Sequence, residues 1–324
     1  MNKSILLLSP NIASDNKGDD IIMECVRKEL GFVLNENFVY DMPTHLPAFS
    51  SFSVWRNSLA VQNYSNCDWK FAGGSNLLVK DLKTHYPQWN IHPFNSKPLR
   101  GTILVGVGAG AGDYTNKYTT KLYRKVLNHE YYHSVRDERS KEYVESLGLK
   151  AINTGCVTMW KLTPTFCREI PTSKADNVVF TLTGRNEPDP LDQKLINILL
   201  ENYAHVSFWI QGDKDAAYLH MFDNIEGIEI IPPSIDAYDK VLSSENIEYI
   251  GTRLHGGIYA LRHKKRAIII SIDERASSIS KDTGLLTIEK TNIDGISSLI
   301  NSEFETKLNL PFDEIERWKR QFME

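Results

Sequence analysis

Short unbroken apolar runs alternate with stretches of helical periodicity along most of this chain, and that alternation restricts it to layered α/β folds. Candidate strands fall at 5–8, 38–40, 69–72, 101–107, 133–135 and 151–153 in the first half. They recur at 177–182, 205–210, 228–231, 249–251 and 267–271 in the second. Continuous rather than alternating apolar strands suit parallel sheets covered on both faces. Between them, 19–30, 117–128, 140–147, 191–202 and 256–261 read as helices. The expected architecture is two Rossmann-like domains with parallel sheets. Residues 1–163 form the first, 164–176 a proline-interrupted linker and 177–310 the second. Residues 311–324 complete the chain, with Ile315, Trp318 and Phe322 on one helical face. That stripe is expected to carry the helix back onto the first domain.

Other features bound the function. The 324 residues carry 37 Lys and Arg against 41 Asp and Glu, a net charge of −4, which gives no general field for nucleic acid. Cys25, Cys67, Cys156 and Cys167 are too sparse for a disulfide scaffold and show no metal-ligand spacing, so reduced thiols and no metal are expected. The N-terminal apolar run stops at Ser9-Pro10, shorter than a signal sequence needs, and no stretch is long enough to span a membrane. A cytoplasmic location is the expectation.

In parallel α/β sheets ligands bind beyond the carboxyl ends of strands, and the chemically distinctive residues of this chain lie there. Asn16, Gly18 and Asp19 open the first helix, either as an anion-binding turn or as a loop glycine with a capping acid. Gly73 and Gly74 follow the third strand, as a cradle or as turn chemistry. Gly106, Gly108 and Gly112 imitate a dinucleotide fingerprint, but mid-domain and without its acidic partner, so NAD is not expected. Asp113 follows that run. Arg136 and Asp137 end a strand, as cleft residues or as an ion pair organising the turn. Arg185 emerges after the first strand of the second domain. Arg253 and His255 stand at a strand-to-helix turn, and Arg275 follows the last core strand. Three arginines converging on one cleft imply a small ligand with more than one acidic group. His255 is the residue able to exchange a proton near neutral pH. Trp55, Trp89 and Trp160 are candidates for stacking on a sugar ring, with packing roles the simpler expectation.

Taken in order, these blocks resemble the polysaccharide pyruvyl transferase family. The resemblance rests on Asn16-x-Gly18-Asp19, Gly73-Gly74, Val105-Gly106-Val107-Gly108, Ser134-Val135-Arg136-Asp137-x-x-Ser140 and, most specifically, Arg253-Leu254-His255 with Ala260. It spans residues 5–285. Two departures stand out: the first glycine turn has one glycine fewer than many relatives show, and Arg275 occupies the place of a usual lysine. The resemblance implies a glycosyltransferase-B-like fold and transfer of the enolpyruvyl group of phosphoenolpyruvate onto two hydroxyls of a saccharide, free or lipid-linked. The product would be a cyclic pyruvate ketal. Phosphoenolpyruvate would be a co-substrate, with no cofactor. A lipid-linked acceptor would bring the protein to the inner membrane face. The resemblance implies donor contacts from Arg253, Leu254 and His255, and from Arg185; Arg275 adds charge. Asp19, Asp113 and Asp137 remain open as the hydroxyl-side base. Competing readings are a nucleotide-sugar glycosyltransferase or epimerase of the same fold, and a saccharide-binding relative without catalysis.

Overall fold

A computed structural model describes residues 3–83, 88–110 and 115–323 of the chain. It divides into two compact units. The first comprises the chain up to Ser14, Ile22–Trp160 and the stretch from Pro311 onward; the second comprises Asp15–Ile21 and Lys161–Leu310.

In the first unit, β1 (Ser4–Ser9), β2 (Phe38–Pro43), β3 (Trp69–Gly73) and β4 (Thr102–Val105) form a parallel sheet in the order β2-β1-β3-β4. Two short parallel strands, β5 (His133–Val135) and β6 (Ala151–Asn153), pair beside it. All but the first side chain of β1 are fully or almost fully buried, as expected of a strand covered on both faces. The paired glycines at the end of β3 serve packing. Gly74 has φ +43°, and a Cβ there would strike the Ile22 side chain; one on Gly73 would strike Met23. Their absence lets the first helix, Lys17–Glu29, close on the strand ends.

His133 shows how tightly this sheet is specified. Its Nδ1 accepts the Leu104 N–H at 3.1 Å, and its Nε2 donates to the Asn128 carbonyl at 2.9 Å. A proton on Nδ1 would break the first bond, and burial lowers the pKa from 6.5 to about 4. As pH falls through this interval the unfolded chain binds a proton that the native state refuses. Stability should therefore decline by on the order of 3 kcal/mol between those pH values and level off below them. Urea denaturation of the wild type and of His133→Gln across that range checks this. The variant should be less stable at neutral pH and lack this part of the pH dependence; parallel curves would exclude His133 as its source.

The second unit is a six-stranded parallel sheet, β12-β11-β10-β7-β8-β9. Its strands are β7 (Asn177–Thr181), β8 (His205–Trp209), β9 (Glu229–Ile231), β10 (Ile247–Gly251), β11 (Ala267–Ser271) and β12 (Thr287–Glu289). Residues 164–176 are integral to this unit. Pro164–Cys167 is one helical turn capped by the Thr163 hydroxyl, and Cys167 and Ile170 are buried. Asp15–Ile21, read from the sequence as part of the first domain, clusters with the second unit. Among the described residues no helix is long and apolar enough to cross a membrane.

The C-terminal helix, Phe312–Arg320, packs on the first unit along the expected stripe, with Ile315, Trp318 and Phe322 buried. Trp89 and Trp160 are core residues, whereas Trp55 is exposed.

Candidate active site

Four strands of the second sheet end around one small polar pocket. Thr183 follows β7, Gln211 follows β8, Thr252 and Arg253 follow β10, and Ile272 and Asp273 follow β11. Leu254, His255, Arg275, Ala276 and Asn16 complete the lining. The rule that placed candidate residues after parallel strands thus finds its site in this unit.

The helix Leu254–Arg262 begins at the pocket. Arg253 is its N-cap residue and supplies no side-chain cap, so the first turn offers backbone N–H groups without that partner. Tyr249 fixes the turn by donating to the Arg253 carbonyl at 2.8 Å, and Tyr238 donates to the Gly256 carbonyl at 2.9 Å. His255 lies in that first turn, largely buried, and is among the residues that line the pocket.

Arg253 is aimed by residues that motif reading passed over. Its Nη2 donates to Asp215, and its Nε donates to the Leu182 carbonyl at 3.3 Å. Asp215 is fully buried and also accepts the N–H groups of Gly184 at 2.9 Å, Gln211 at 3.2 Å and Gly212 at 2.7 Å. A Cβ on Gly212 would overlap the guanidinium, so that glycine leaves space for it. Two of the five N–H groups of Arg253 are thereby fixed while the residue still lines the pocket. Gln211 joins a further segment: its side chain donates to Asn16 Oδ1 at 3.0 Å, and its carbonyl accepts the Lys17 N–H at 2.8 Å. Its Oε1 is buried without a hydrogen-bond partner among the described residues, an acceptor available to a bound donor.

Not every candidate joins this group. Arg275 does, although its guanidinium makes bonds of 2.9 and 2.6 Å to Asp273, which also caps the helix Glu274–Thr283. Arg185 does not line the pocket; it is half-exposed and faces Asp189 at 3.6 Å. Burial opposes ionisation of Asp189, but the Lys290 hydrogen bond, the Leu191 N–H and the Lys290 and Arg185 charges hold its carboxyl below the usual range. That carboxylate, four residues on, supplies a local partner for the arginine. Two arginines, not three, therefore line the pocket.

Of the remaining candidates, Asp137, Arg136, Gly73 and Gly74 lie in the first unit and support its packing, whereas Gly18 and Asp19 belong to the second. Asp137 caps the helix Glu138–Ser146 by accepting the Ser140 N–H at 2.8 Å and the Ser140 hydroxyl at 2.6 Å. The Ser140 hydroxyl oxygen accepts the Ala109 N–H, and that of Ser134 accepts the Gly106 N–H, both at 2.8 Å. Arg136 is buried against Asp137 at 3.2 Å and donates to Asn76; a Cβ on Gly108 would collide with it. Gly73 and Gly74 pack on the first helix as described. Gly18 N–H donates to Asn16 Oδ1 at 3.1 Å, and buried Asp19 occupies the first turn of that helix. Asp113 and Gly112 lie outside the described residues.

Two parallel α/β units, the second carrying a polar pocket lined by Arg253 and Arg275 at its strand ends, make a glycosyltransferase-B-like fold. Solved structures share this fold. S. aureus MnaA bound to UDP superposes with a TM-score of 0.57 at 11% identity, over 98% of this chain and 95% of that one. The Methanocaldococcus jannaschii UDP-GlcNAc 2-epimerase gives 0.53 at 12% identity over 100% and 99%. That of Neisseria meningitidis gives 0.50 at 14% over 99% of both chains. No curated protein matches the chain by sequence. The model of the polysaccharide pyruvyl transferase family matches residues 16–274, and the chain belongs to that family.

Proposed function

We propose that this transferase takes phosphoenolpyruvate as its donor and forms a cyclic pyruvate ketal on a saccharide. The observation that carries the reading is the joint presence of Arg253, His255 and Arg275 in one pocket, where the helix Leu254–Arg262 begins without a side-chain cap. Phosphoenolpyruvate bears a carboxylate and a phosphate, the anions that a guanidinium fork and helix N–H groups accommodate.

The chemistry follows from these parts. His255, protonated, delivers its proton to the donor's methylene carbon, and the adjacent carbon becomes oxocarbenium-like. One sugar hydroxyl adds there and loses its proton. Phosphate leaves with its bonding electron pair, and a second hydroxyl adds and loses its proton to close the ring. One of the two released protons restores His255 and the other is carried by phosphate. Arg253 and Arg275 stabilise the departing phosphate through charge already in place. Asp137 is committed as a helix cap, so Asp19, three residues beyond pocket-lining Asn16, is the described carboxylate we assign to the hydroxyl side.

Arg253→Lys tests the donor assignment. Lysine keeps the charge but cannot reproduce the fork held by Asp215 and Leu182. Phosphoenolpyruvate affinity measured by calorimetry should fall about tenfold or more. Wild-type affinity in this variant would make Arg253 a structural residue. Binding of UDP but not of phosphoenolpyruvate to the wild type would instead favour a nucleotide-sugar reaction.

A further inference from the structure

The first unit carries an exposed apolar cluster that the pocket chemistry does not use. Trp55 is 79% exposed, Leu59 73% and Phe52 62%. Phe52 and Trp55 stack on each other with ring centroids 6.0 Å apart, and the Arg56 guanidinium sits over the Phe52 ring at 5.5 Å. Lys97 joins them by donating to the Asn57 side chain at 2.9 Å. Large aromatic side chains left this open cost hydration free energy in water, so a contiguous group of them marks a contact surface. The five-residue helix Ser51–Trp55 places Phe52 and Trp55 three residues apart on one side, and buries Val54 on the other.

The charge pattern says what the surface meets. Although the chain is net negative, no acidic residue occurs between Asp41 and Asp68, or between Asp81 and Asp113. These two acid-free segments contribute Arg56, Lys83, Lys97 and Arg100, all exposed. Among the described residues neither Arg56 nor Lys97 is paired with a carboxylate. A two-fold contact with a second copy would bring this cationic patch against an identical one, a like-charge arrangement. Apolar rings beside long cationic side chains are instead the composition of an interfacial anchor. The rings enter the boundary of the acyl chains and the cations remain among the headgroups.

We propose that this face, centred on the Phe52–Trp55 pair and flanked by Arg56 and Lys97, docks the protein on an anionic lipid surface. The proposal is independent of the donor assignment. Sedimentation of the full chain with phosphatidylcholine vesicles, prepared with and without phosphatidylglycerol, tests it. The wild type should bind the phosphatidylglycerol vesicles in preference, and added salt should weaken the binding. Phe52→Ala with Trp55→Ala should lower the partition coefficient about tenfold or more, since two large apolar groups no longer insert. Arg56→Glu with Lys97→Glu should remove the preference for the anionic vesicles. Because these side chains are exposed, both double variants should melt like the wild type, and melting curves control for folding. Three results would overturn the proposal: no vesicle binding by the wild type, unchanged binding by folded variants, or a concentration-dependent dimer abolished by the aromatic substitutions. The last would identify the face as a self-association surface.

Discussion

Replacing His255 by alanine should reduce turnover about a hundredfold or more, the scale at which a positioned general acid acts, while the protein stays folded. Contacts other than the imidazole hold the helix Leu254–Arg262. Tyr238 holds the Gly256 carbonyl, Tyr249 holds the Arg253 carbonyl, and Gly257 lets the helix lie against Ile269 of β11. The donor's anionic groups are assigned to Arg253, Arg275 and the helix N–H groups. KM for phosphoenolpyruvate should therefore change little while kcat collapses. His255→Gln, which retains polarity but cannot deliver a proton near neutral pH, should be as inactive as alanine. This separates acid catalysis from a purely positional role, in which glutamine would restore part of the rate. Single-turnover assays reading ketal product by mass provide the measurement. Near-normal kcat in folded His255→Ala would remove His255 from the mechanism.

The sequence is informative wherever one physical cause dominates. Strands such as Ser4–Ser9 and Ala267–Ser271 are legible because burial on both faces requires unbroken apolar runs. The edge strand Thr287–Glu289 was missed because three residues with a terminal glutamate carry no such pattern. Arg253 and His255 were legible because a strand-to-helix turn is where a parallel sheet exposes chemistry. Arg185 satisfied the same positional rule, yet Asp189 faces it; a rule about chain position does not weigh the nearest opposite charge. Ser134, Arg136, Asp137 and Ser140 show a related ambiguity. Their motif is distinctive, and in the structure Ser134 and Ser140 accept backbone N–H groups of Gly106 and Ala109 while Asp137 caps the following helix. Asp215 was invisible for the opposite reason. It opens a five-residue helix without marked periodicity, and only the fold reveals that one buried carboxylate joins Gly184, Gln211, Gly212 and Arg253. Gln211 was within reach, since Gln211-Gly212 follows β8 just as Thr252-Arg253 follows β10.

Trp318→Ala should destabilise the first unit by about 3–5 kcal/mol, a substantial part of the stability of an ordinary domain. Trp318 is fully buried, and its Nε1 donates to the Tyr132 carbonyl at 2.8 Å. Its ring meets Trp160 edge-on at 5.9 Å and Phe322 at 5.0 Å. Phe322 in turn stacks on Tyr131 at 5.5 Å and meets the Phe71 ring of β3 edge-on at 5.2 Å. Polar bonds fix the same register: Gln321 accepts the Tyr132 N–H at 2.9 Å and donates to its carbonyl at 3.0 Å, and Lys319 pairs with Glu29 at 2.8 Å. Truncation to alanine removes one of the two tryptophan rings of this cluster and leaves a cavity lined by aromatic rings. It also strips one of two hydrogen bonds from the partly buried Tyr132 carbonyl, which keeps the one from Gln321. Trp318→Phe keeps most of the packing and loses chiefly the Nε1 bond, so it should cost about 1 kcal/mol. Deleting residues 312–324 removes Ile315, Trp318 and Phe322 together and should destabilise more than either substitution. Urea unfolding followed by circular dichroism gives the order. If the deletion unfolds at the wild-type denaturant concentration, the helix contributes no stability to the first unit, and the stripe of Ile315, Trp318 and Phe322 has another purpose.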